Sequence, residues 1–238
     1  MDCILLVGGL GTRLAAVISD RPKPLADING TPFLDLLLHQ LARFSTVKKV
    51  ILAIGHLGHQ IVRRYQNHGF PYQLVFSFEE TPLGTGGAIK KALAHTSSSY
   101  ILVMNGDSFI QFDLSALQEH HLNTFADFTL LYREVPDASR YGTVQIDTKS
   151  QQVIAFKEKW PSVSPGLVNA GVYLMTHSFL DDLPFGPSYS LETQALPFLL
   201  KKRVFGYPCQ GLFIDIGTPQ SFLEAQTLLK HLTHSVYP

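Results

Sequence analysis

The stretch LLVGGLGTRL, residues 5–14, carries an apolar run directly into three glycines, a threonine and an arginine. Residues 3–7 are predicted to form a short buried β-strand, and the glycines to form the loop that follows it. In an open α/β sheet, ligands bind beyond the carboxyl ends of the strands, which is where such a loop lies. The stretch therefore predicts a ligand-binding loop after the first strand of an α/β domain.

The glycines of this loop suit an anion. Gly8, Gly9 and Gly11 let backbone N–H groups approach a phosphate because no Cβ obstructs them. Arg13 adds a planar fork of donors that matches phosphate oxygens. The dinucleotide pattern GxGxxG would need a glycine where Leu14 stands, and the P-loop pattern would need Gly-Lys at residues 13 and 14. A plain glycine turn with an exposed arginine is the alternative for this stretch taken alone.

Strand and helix signals alternate through the first half of the chain. Strands are expected at residues 3–7, 47–54, 73–78 and 100–104. Helices are expected at residues 33–41, 57–67 and 87–95, and from an N-cap at Asp113 to about residue 122. Strands separated by helices of this length imply right-handed crossovers, so the sheet is predicted to be mostly parallel.

The second half contains strands with few helical signals between them, which favours antiparallel additions and a mixed sheet. Strands are expected at residues 128–135, 142–146, 152–156, 167–175 and 212–216, and helices at 191–200 and 219–230. No linker rich in Pro, Gly or Ser divides the chain. We predict an α/β fold: one Rossmann-like domain over residues 1–238, with a nucleotide-binding half (about 1–125) and a substrate half (about 126–238).

Two further segments reinforce the phosphate interpretation. RPKPL, residues 21–25, holds Lys23 between two prolines that fix φ, so this lysine can reach a fixed point with little ordering cost. EETPLGTGGAI, residues 79–89, is a second glycine-rich strand-to-helix turn, whose backbone could face a flat ring or a phosphate. A solvated surface lysine and a helix start that merely needs small residues are the alternatives.

Two aspartates stand at predicted strand ends. Asp107 follows a buried strand in VMNGDSF, and Asp215 follows another in FIDIGTP. Magnesium favours one or two carboxylates together with phosphate oxygens. We therefore expect these two aspartates to converge on one Mg²⁺, although each could separately be a helix cap or turn residue.

Composition limits the possible partners. Nineteen basic residues balance nineteen acidic ones, which argues against binding nucleic acid or an anionic membrane by general charge. Neither a signal peptide nor a run of ~18 apolar residues is present, and the two cysteines lack metal-ligand spacing, so we expect a cytoplasmic protein. The histidines at 56, 59, 120 and 121 are expected to lie on the surface rather than to bind metal.

The ordered motifs resemble those of the sugar-1-phosphate nucleotidyltransferases, over residues 3 to about 226. The motifs that carry the resemblance are GGLGTRL, RPKPL, PLGTGGAI, NGD, FKEK, NAGVY and DIGTP. Within that family, PFLDLLL, EETPLGTGGAIKKAL, SRYGTV and FIDIGTP are most similar to the bacterial D-glycero-α-D-manno-heptose 1-phosphate guanylyltransferases.

The resemblance implies a Mg²⁺-dependent enzyme of the nucleotide-diphospho-sugar transferase fold, acting as a monomer or homodimer. Its substrates would be a nucleoside triphosphate, GTP by closest likeness, and a sugar 1-phosphate; its products would be a nucleotide sugar and pyrophosphate. The catalytic set carried over is Arg13, Lys23, Asp107 and Asp215, of which the two aspartates would bind the metal. The nucleotide set is Gly8, Gly9, Gly11, Thr12, Glu80, Leu83, Gly84, Thr85, Gly87, Asn105 and Gly106.

The sugar-phosphate set carried over is Gly142, Glu158, Lys159 and Asn169. Glu158 would bind sugar hydroxyls and Lys159 the sugar phosphate, but Trp160 stands where the family usually has a proline, which affects the expected placement of Lys159. Mannose or glucose 1-phosphate with GTP, UTP or dTTP is an alternative substrate pair. A non-catalytic regulatory homologue, a dinucleotide-dependent oxidoreductase and a lipid or polyol cytidylyltransferase are alternative functions.

Overall fold

The computed structural model of the protein describes residues 1–14, 17–157 and 164–233. Its strands are β1 Asp2–Leu6, β2 Asp27–Ile28, β3 Thr31–Pro32, β4 Lys49–Ile54, β5 Gln73–Phe78, β6 Tyr100–Asn105, β7 Ser108–Ile110, β8 Phe128–Val135, β9 Thr143–Ile146, β10 Val153–Lys157, β11 Gly166–Thr176, β12 Val204–Pro208 and β13 Phe213–Asp215. Its helices are α1 Phe33–Ala42, α2 Gly58–Tyr65, α3 Gly84–Leu93, α4 Leu114–Asn123, α5 Leu196–Leu199, α6 Pro219–Leu228 and α7 Lys230–Thr233. The longest of these helices have ten residues, too few to cross a membrane.

Four parallel strands form one half of the main sheet. Strand β1 lies between β4 and β6 and runs parallel to both, and β5 extends the layer beyond β4. Because all four strands point the same way, the loops after β1 and β6 emerge at one edge of the sheet. This confirms the predicted mixed, mostly parallel sheet flanked by helices.

The long strand β11 joins the two halves. It pairs antiparallel with β6 on one side and with β8 on the other, and β12 then adds parallel to β8. The register of the β11–β8 pair shifts between Asn169 and Tyr173. Such an irregularity bends a strand and re-aims its side chains, here against Asn105 at the end of β6.

Side chains of β1 alternate between two buried cores. Cys3, Leu5 and Val7 pack into the core that contains α1, whereas Ile4 packs into the core that contains α3. This period of two, with apolar residues on both faces, is what a strand covered by helices on each side requires. The sheet is thereby fixed from both faces, and its loops project from a rigid base.

Sequence patterns located most elements within a few residues but missed three features. They gave no signal for β12, for the short pairing of β7 with β13, or for the β2–β3 hairpin. The predicted helix at 191–200 is divided into a π-helical turn, Leu191–Ala195, followed by α5.

The expectation that all four histidines lie on the surface is wrong for His121. His56 and His59 are exposed and His120 is half-buried, but His121 is 1% exposed and its Nδ1 lies 2.8 Å from Thr129 Oγ1. Burial lowers the pKa of His121 to about 4, with a further contribution from His120. His121 is therefore a neutral packing residue between α4 and the sheet.

Candidate active site

Two adjoining cavities open at the carboxyl edge of β1 and β6. We call the first, of about 210 Å³, the glycine cavity; its lining includes Gly9, Gly11, Thr12, Arg13, Lys23 and Asp107. We call the second, of about 410 Å³, the outer cavity; its lining includes Arg13, Asn105, Asp107, Gly142, Asn169 and Asp215. Arg13 and Asp107 belong to both, so they lie where occupants of the two cavities would meet.

Two of the three loop glycines, Gly8 and Gly11, leave little room for a side chain, whereas a Cβ on Gly9 would meet nothing within 4 Å. A Cβ on Gly8 would lie 2.6 Å from Glu79 Oε1 and 2.9 Å from the backbone nitrogen of Gly55. Gly11 adopts a φ of +62°, which favours glycine, and lies over the side chain of Lys23. Leu14, which breaks the dinucleotide pattern, is 1% exposed and anchors the short 3₁₀ turn that presents Arg13.

Lys23 reaches the cavity as its proline setting predicts, but its partner is a carboxylate. Pro22 and Pro24 flank it in a 3₁₀ turn, and its Nζ lies 2.6 Å from Asp107 Oδ2. The Lys23 side chain is 12% exposed and that of Asp107 38%. A charge-assisted bond of this kind orients both groups at the boundary between the two cavities.

The structure brings the two aspartates together. Strand β13 pairs antiparallel with β7, placing Asp215 opposite Ser108, and the N–H of Ile216 donates to the carbonyl of Asp107 at 2.9 Å. Asp107 and Asp215 are more than a hundred residues apart in sequence, but they lie close together where these two strands pair. Both aspartates line the outer cavity together with Arg13.

Asp215 is surrounded by donors. Its Oδ2 accepts from Arg140 at 2.8 Å and from the Tyr141 hydroxyl at 2.7 Å, and its Oδ1 accepts from the N–H of Gly217 at 2.6 Å. Burial alone would raise the pKa of Asp215, but these bonds and the Arg140 charge outweigh burial and lower it. Burial, followed by the bond to Asp215, raises the pKa of Tyr141 to about 12, so its phenol stays a donor.

These carboxylates fit a magnesium ion only in part. Within residues 1–14, 17–157 and 164–233, no group of three or more His, Cys, Asp or Glu side chains could hold a metal. Asp107 and Asp215 supply hard oxygen donors, and Mg²⁺ commonly completes its shell with substrate phosphates and water. Both oxygens of Asp215 already accept hydrogen bonds, so a metal bound there would compete with one of these donors.

The second glycine turn packs against residues 187–190. Gly84 has a φ of +68°, and a Cβ on Gly87 would lie 2.2 Å from the carbonyl of Pro187. Gly87 is thus required for packing, and its predicted nucleotide contact stays a prediction. Of the two glutamates before the turn, Glu80 is exposed, whereas Glu79 is half-buried and accepts from the N–H of Leu83 at 3.1 Å. Burial raises the pKa of Glu79.

Two amide side chains, those of Asn105 and Asn169, line the outer cavity. Asn169 Oδ1 accepts from the N–H of Gly171 at 3.0 Å, and Gly171 has a φ of +74°. Asn105 lies against Gly171, and its buried Oδ1 has no protein partner among the described residues. A Cβ on Gly106 would lie 2.4 Å from Val7, so this glycine serves packing between β1 and β6.

Two predicted sugar-phosphate residues, Glu158 and Lys159, lie outside the described residues. Gly142 and Asn169 both line the outer cavity. Among the lining residues to which the sequence analysis gave no role are Arg140, Tyr141 and Glu192. The first two immediately precede Gly142, so the SRYGTV segment carried the signal, whereas Glu192 stood in no recognised pattern.

The chain is similar in sequence to proteins of one family. The sequence profile of the family described as "Nucleotidyl transferase" matches residues 2–231. The chain is 38% identical to D-glycero-alpha-D-manno-heptose 1-phosphate guanylyltransferase from Aneurinibacillus thermoaerophilus, over 97% of this chain and 99% of that protein. It is 36% identical to the enzyme of the same name from Campylobacter jejuni, over 93% and 97%.

A solved structure extends the similarity to three dimensions. The crystal structure of HddC from Yersinia pseudotuberculosis complexed with GMP-PN matches with a TM-score of 0.84 and 33% identity. That match covers 95% of this chain and 98% of the HddC chain. With these motifs, these two adjoining cavities and this matching profile, the chain belongs to the nucleotidyl transferase family.

Proposed function

We propose that this chain transfers a guanylyl group from GTP to D-glycero-α-D-manno-heptose 1-phosphate, releasing pyrophosphate. The observation that carries the reaction type is the pair of adjoining cavities that share Arg13 and Asp107. The base and the sugar rest on two relatives of that name, which match almost end to end. The complex of HddC with GMP-PN supports a guanine nucleotide.

The proposed reaction needs positioning and charge neutralisation. A phosphate oxygen of the sugar 1-phosphate would attack the α-phosphorus in line with the departing pyrophosphate. This nucleophile is already ionised near neutral pH, so no strong general base is required. Arg13 would neutralise the leaving pyrophosphate, and Lys23 the α- and β-phosphates, once phosphate competes with Asp107 for its ammonium group.

We also propose dependence on Mg²⁺, held by Asp107 and Asp215 with phosphate oxygens. When bound, the ion would neutralise charge on the triphosphate. The position of both carboxylates at the outer cavity supports this assignment. Activity should disappear in excess chelator and return when Mg²⁺ is added. Undiminished activity in chelator would contradict it.

We propose a cytoplasmic enzyme, monomeric or homodimeric. Cys3 and Cys209 are both free, as expected in a reducing compartment. Size-exclusion chromatography with light scattering would determine the oligomeric state.

The test of the function is a substrate matrix. GTP, ATP, UTP, CTP and dTTP are each combined with the α-1-phosphates of D-glycero-D-manno-heptose, mannose and glucose, and pyrophosphate release is measured. The proposal expects the highest kcat/KM for GTP with the heptose phosphate. A preference for mannose or glucose 1-phosphate, or for UTP or dTTP, would reassign the substrate. No pyrophosphate from any pair would contradict the enzymatic function.

A further inference from the structure

Glu192 lies on an unusual piece of backbone at the edge of the outer cavity. It belongs to the π-helical turn Leu191–Ala195, in which the N–H of Ala195 donates to the carbonyl of Ser190 at 3.1 Å. Single π-helical turns occur frequently at functional sites. The reaction described above assigns no part to this glutamate, although it lines the cavity.

The carboxylate of Glu192 is compensated by hydroxyl groups. Its Oε2 accepts from Thr85 Oγ1 at 2.6 Å and from Ser190 Oγ at 3.2 Å, and its Oε1 accepts from the Tyr173 hydroxyl at 3.2 Å. In the described part of the chain, Glu192 forms no salt bridge with Lys, Arg or His. Hydroxyl donors, rather than a cationic side chain, therefore compensate both oxygens of the Glu192 carboxylate.

One of these bonds leads to the second glycine turn. Thr85 is the second residue of α3, and its Oγ1 also accepts from the N–H of Leu191 at 2.8 Å. Two hydrogen bonds thus tie the π-helical turn to the segment expected to flank the base. Thr85 itself does not line the outer cavity.

The other bond leads to the amide expected to bind sugar. The buried hydroxyl of Tyr173 donates to Glu192 and accepts from Asn169 Nδ2 at 2.7 Å. Burial, followed by the charge of Glu192, raises the pKa of Tyr173 well above its ordinary value, so the phenol remains a donor. With its Oδ1 held by Gly171, Asn169 is fixed at both ends of its amide.

We propose that Glu192 is a positioning residue. Through Tyr173 it fixes the amide of Asn169 for the sugar 1-phosphate. Through Thr85 it attaches Tyr173 and Asn169 to the start of α3. The inference rests on the proposed function, because it assigns the outer cavity to the sugar phosphate. Its consequence is specific. Loss of these bonds weakens sugar-phosphate binding more than nucleotide binding or turnover.

The test measures both KM values and kcat for Tyr173→Phe, Glu192→Gln and the double variant, using the best pair from the substrate matrix. Each single variant removes an acceptor or donor of the same chain of bonds, so each should raise the sugar-phosphate KM about fivefold, the effect of one hydrogen bond. The nucleotide KM should stay within about twofold and kcat within about threefold. The double variant should be no worse than either single variant, because serial contacts are not additive.

Thr85→Val tests the other end of this chain of bonds; because Thr85 also belongs to the expected nucleotide set, its readout is the sugar-phosphate KM. It removes the hydroxyl that anchors Glu192 from a position outside the outer cavity, and it should still raise the sugar-phosphate KM. Gln194→Ala is the matched control. Its side chain accepts from the N–H of Ser190 on the same turn but contacts neither Thr85 nor Tyr173, so it should leave the sugar-phosphate KM unchanged.

Thermal unfolding confirms that each variant is folded. Folded Tyr173→Phe and Glu192→Gln proteins with a wild-type sugar-phosphate KM would overturn the inference while leaving the proposed function intact. Equal increases in both KM values would also overturn it, because a merely structural role predicts them. Wild-type protein that releases no pyrophosphate with any pair would overturn the proposed function and this inference with it.

Discussion

The glycine cavity and the outer cavity share an edge but are built in different ways. Close backbone packing shapes the first: Gly106 lies against Leu6 and Val7, and Gly8 lies against Gly55, with no room for a Cβ at either glycine. Side chains dominate the second, where ion pairs and hydroxyl bonds connect segments far apart in sequence, as in Arg140 with Asp215. Beside the first cavity a Cβ has room at Gly9 but not at Gly8 or Gly106, whereas the second cavity depends on particular polar contacts. Substitutions should therefore act differently on the two sides.

The largest effect is expected where the cavities meet. Arg13→Ala removes the exposed guanidinium shared by both, and it should lower kcat by about 10²-fold or more, as for other lost transition-state charge contacts. Pyrophosphate release under saturating substrates measures the change. Arg21→Ala is the matched control, since Arg21 pairs with the exposed Asp20 and lines neither cavity. A folded Arg13→Ala protein with wild-type turnover would show that the shared edge is not the reaction centre.

A smaller effect, on the nucleotide KM, should distinguish the glycine cavity from the outer cavity. Gly11→Ala puts a Cβ 3.2 Å from that of Lys23 at a φ of +62°, a strain of order 1 kcal/mol or more. Gly142→Ala puts its Cβ in ordinary contact, 3.7 Å from the carbonyl of Lys157. Gly11→Ala should raise the nucleotide KM about tenfold, and Gly142→Ala should change it less than threefold. Similar nucleotide KM values for the two variants would refute the distinction between the cavities.

The smallest effect concerns the donors around Asp215. Tyr141→Phe removes one of them and should lower the free energy of unfolding by about 1 kcal/mol at pH 7. Because the folded state lowers the pKa of Asp215, its stabilisation is present above the ordinary carboxyl pKa and is lost as pH falls through the folded value.

Denaturant titrations at pH 7 and pH 3 measure this dependence. The difference between wild type and Tyr141→Phe should shrink as the pH falls below the ordinary carboxyl pKa towards the lowered pKa of folded Asp215. Tyr132→Phe is the control, because its hydroxyl makes only a 3.5 Å contact with Gln151. A difference that grows at low pH would contradict the assigned role of Tyr141.

Local patterns predicted the parts of the site that are local in sequence. A pattern of about ten residues is enough to identify the glycine loop, the stiff Lys23 segment and each of the two strand-end aspartates. The pairing of β7 with β13 carried no local signal, because three-residue strands are too short for periodicity to identify. Its result, the meeting of Asp107 with Asp215, was inferred only from shared context.

The outer cavity was less predictable for a physical reason. Glu192 contributes through bonds to Thr85 and Tyr173, which are distant in sequence, and nothing in its neighbours reveals those partners. The burial of His121 was not predicted for a similar reason. A polar residue can be buried when a core hydroxyl, here that of Thr129, is its hydrogen-bond partner, and the residues next to His121 in sequence do not reveal that partner. Strand β12 was missed because VFGYP contains a glycine and a proline, which argue against a strand.

We propose that Asp107 and Asp215 together hold one Mg²⁺ against the triphosphate. The most direct measurement is pyrophosphate release as a function of Mg²⁺ concentration for wild type, Asp107→Asn and Asp215→Asn. We expect both folded variants to lose about 10²-fold or more in turnover and to require more Mg²⁺ for half-maximal rate. Wild-type turnover and Mg²⁺ requirement in either variant would contradict it.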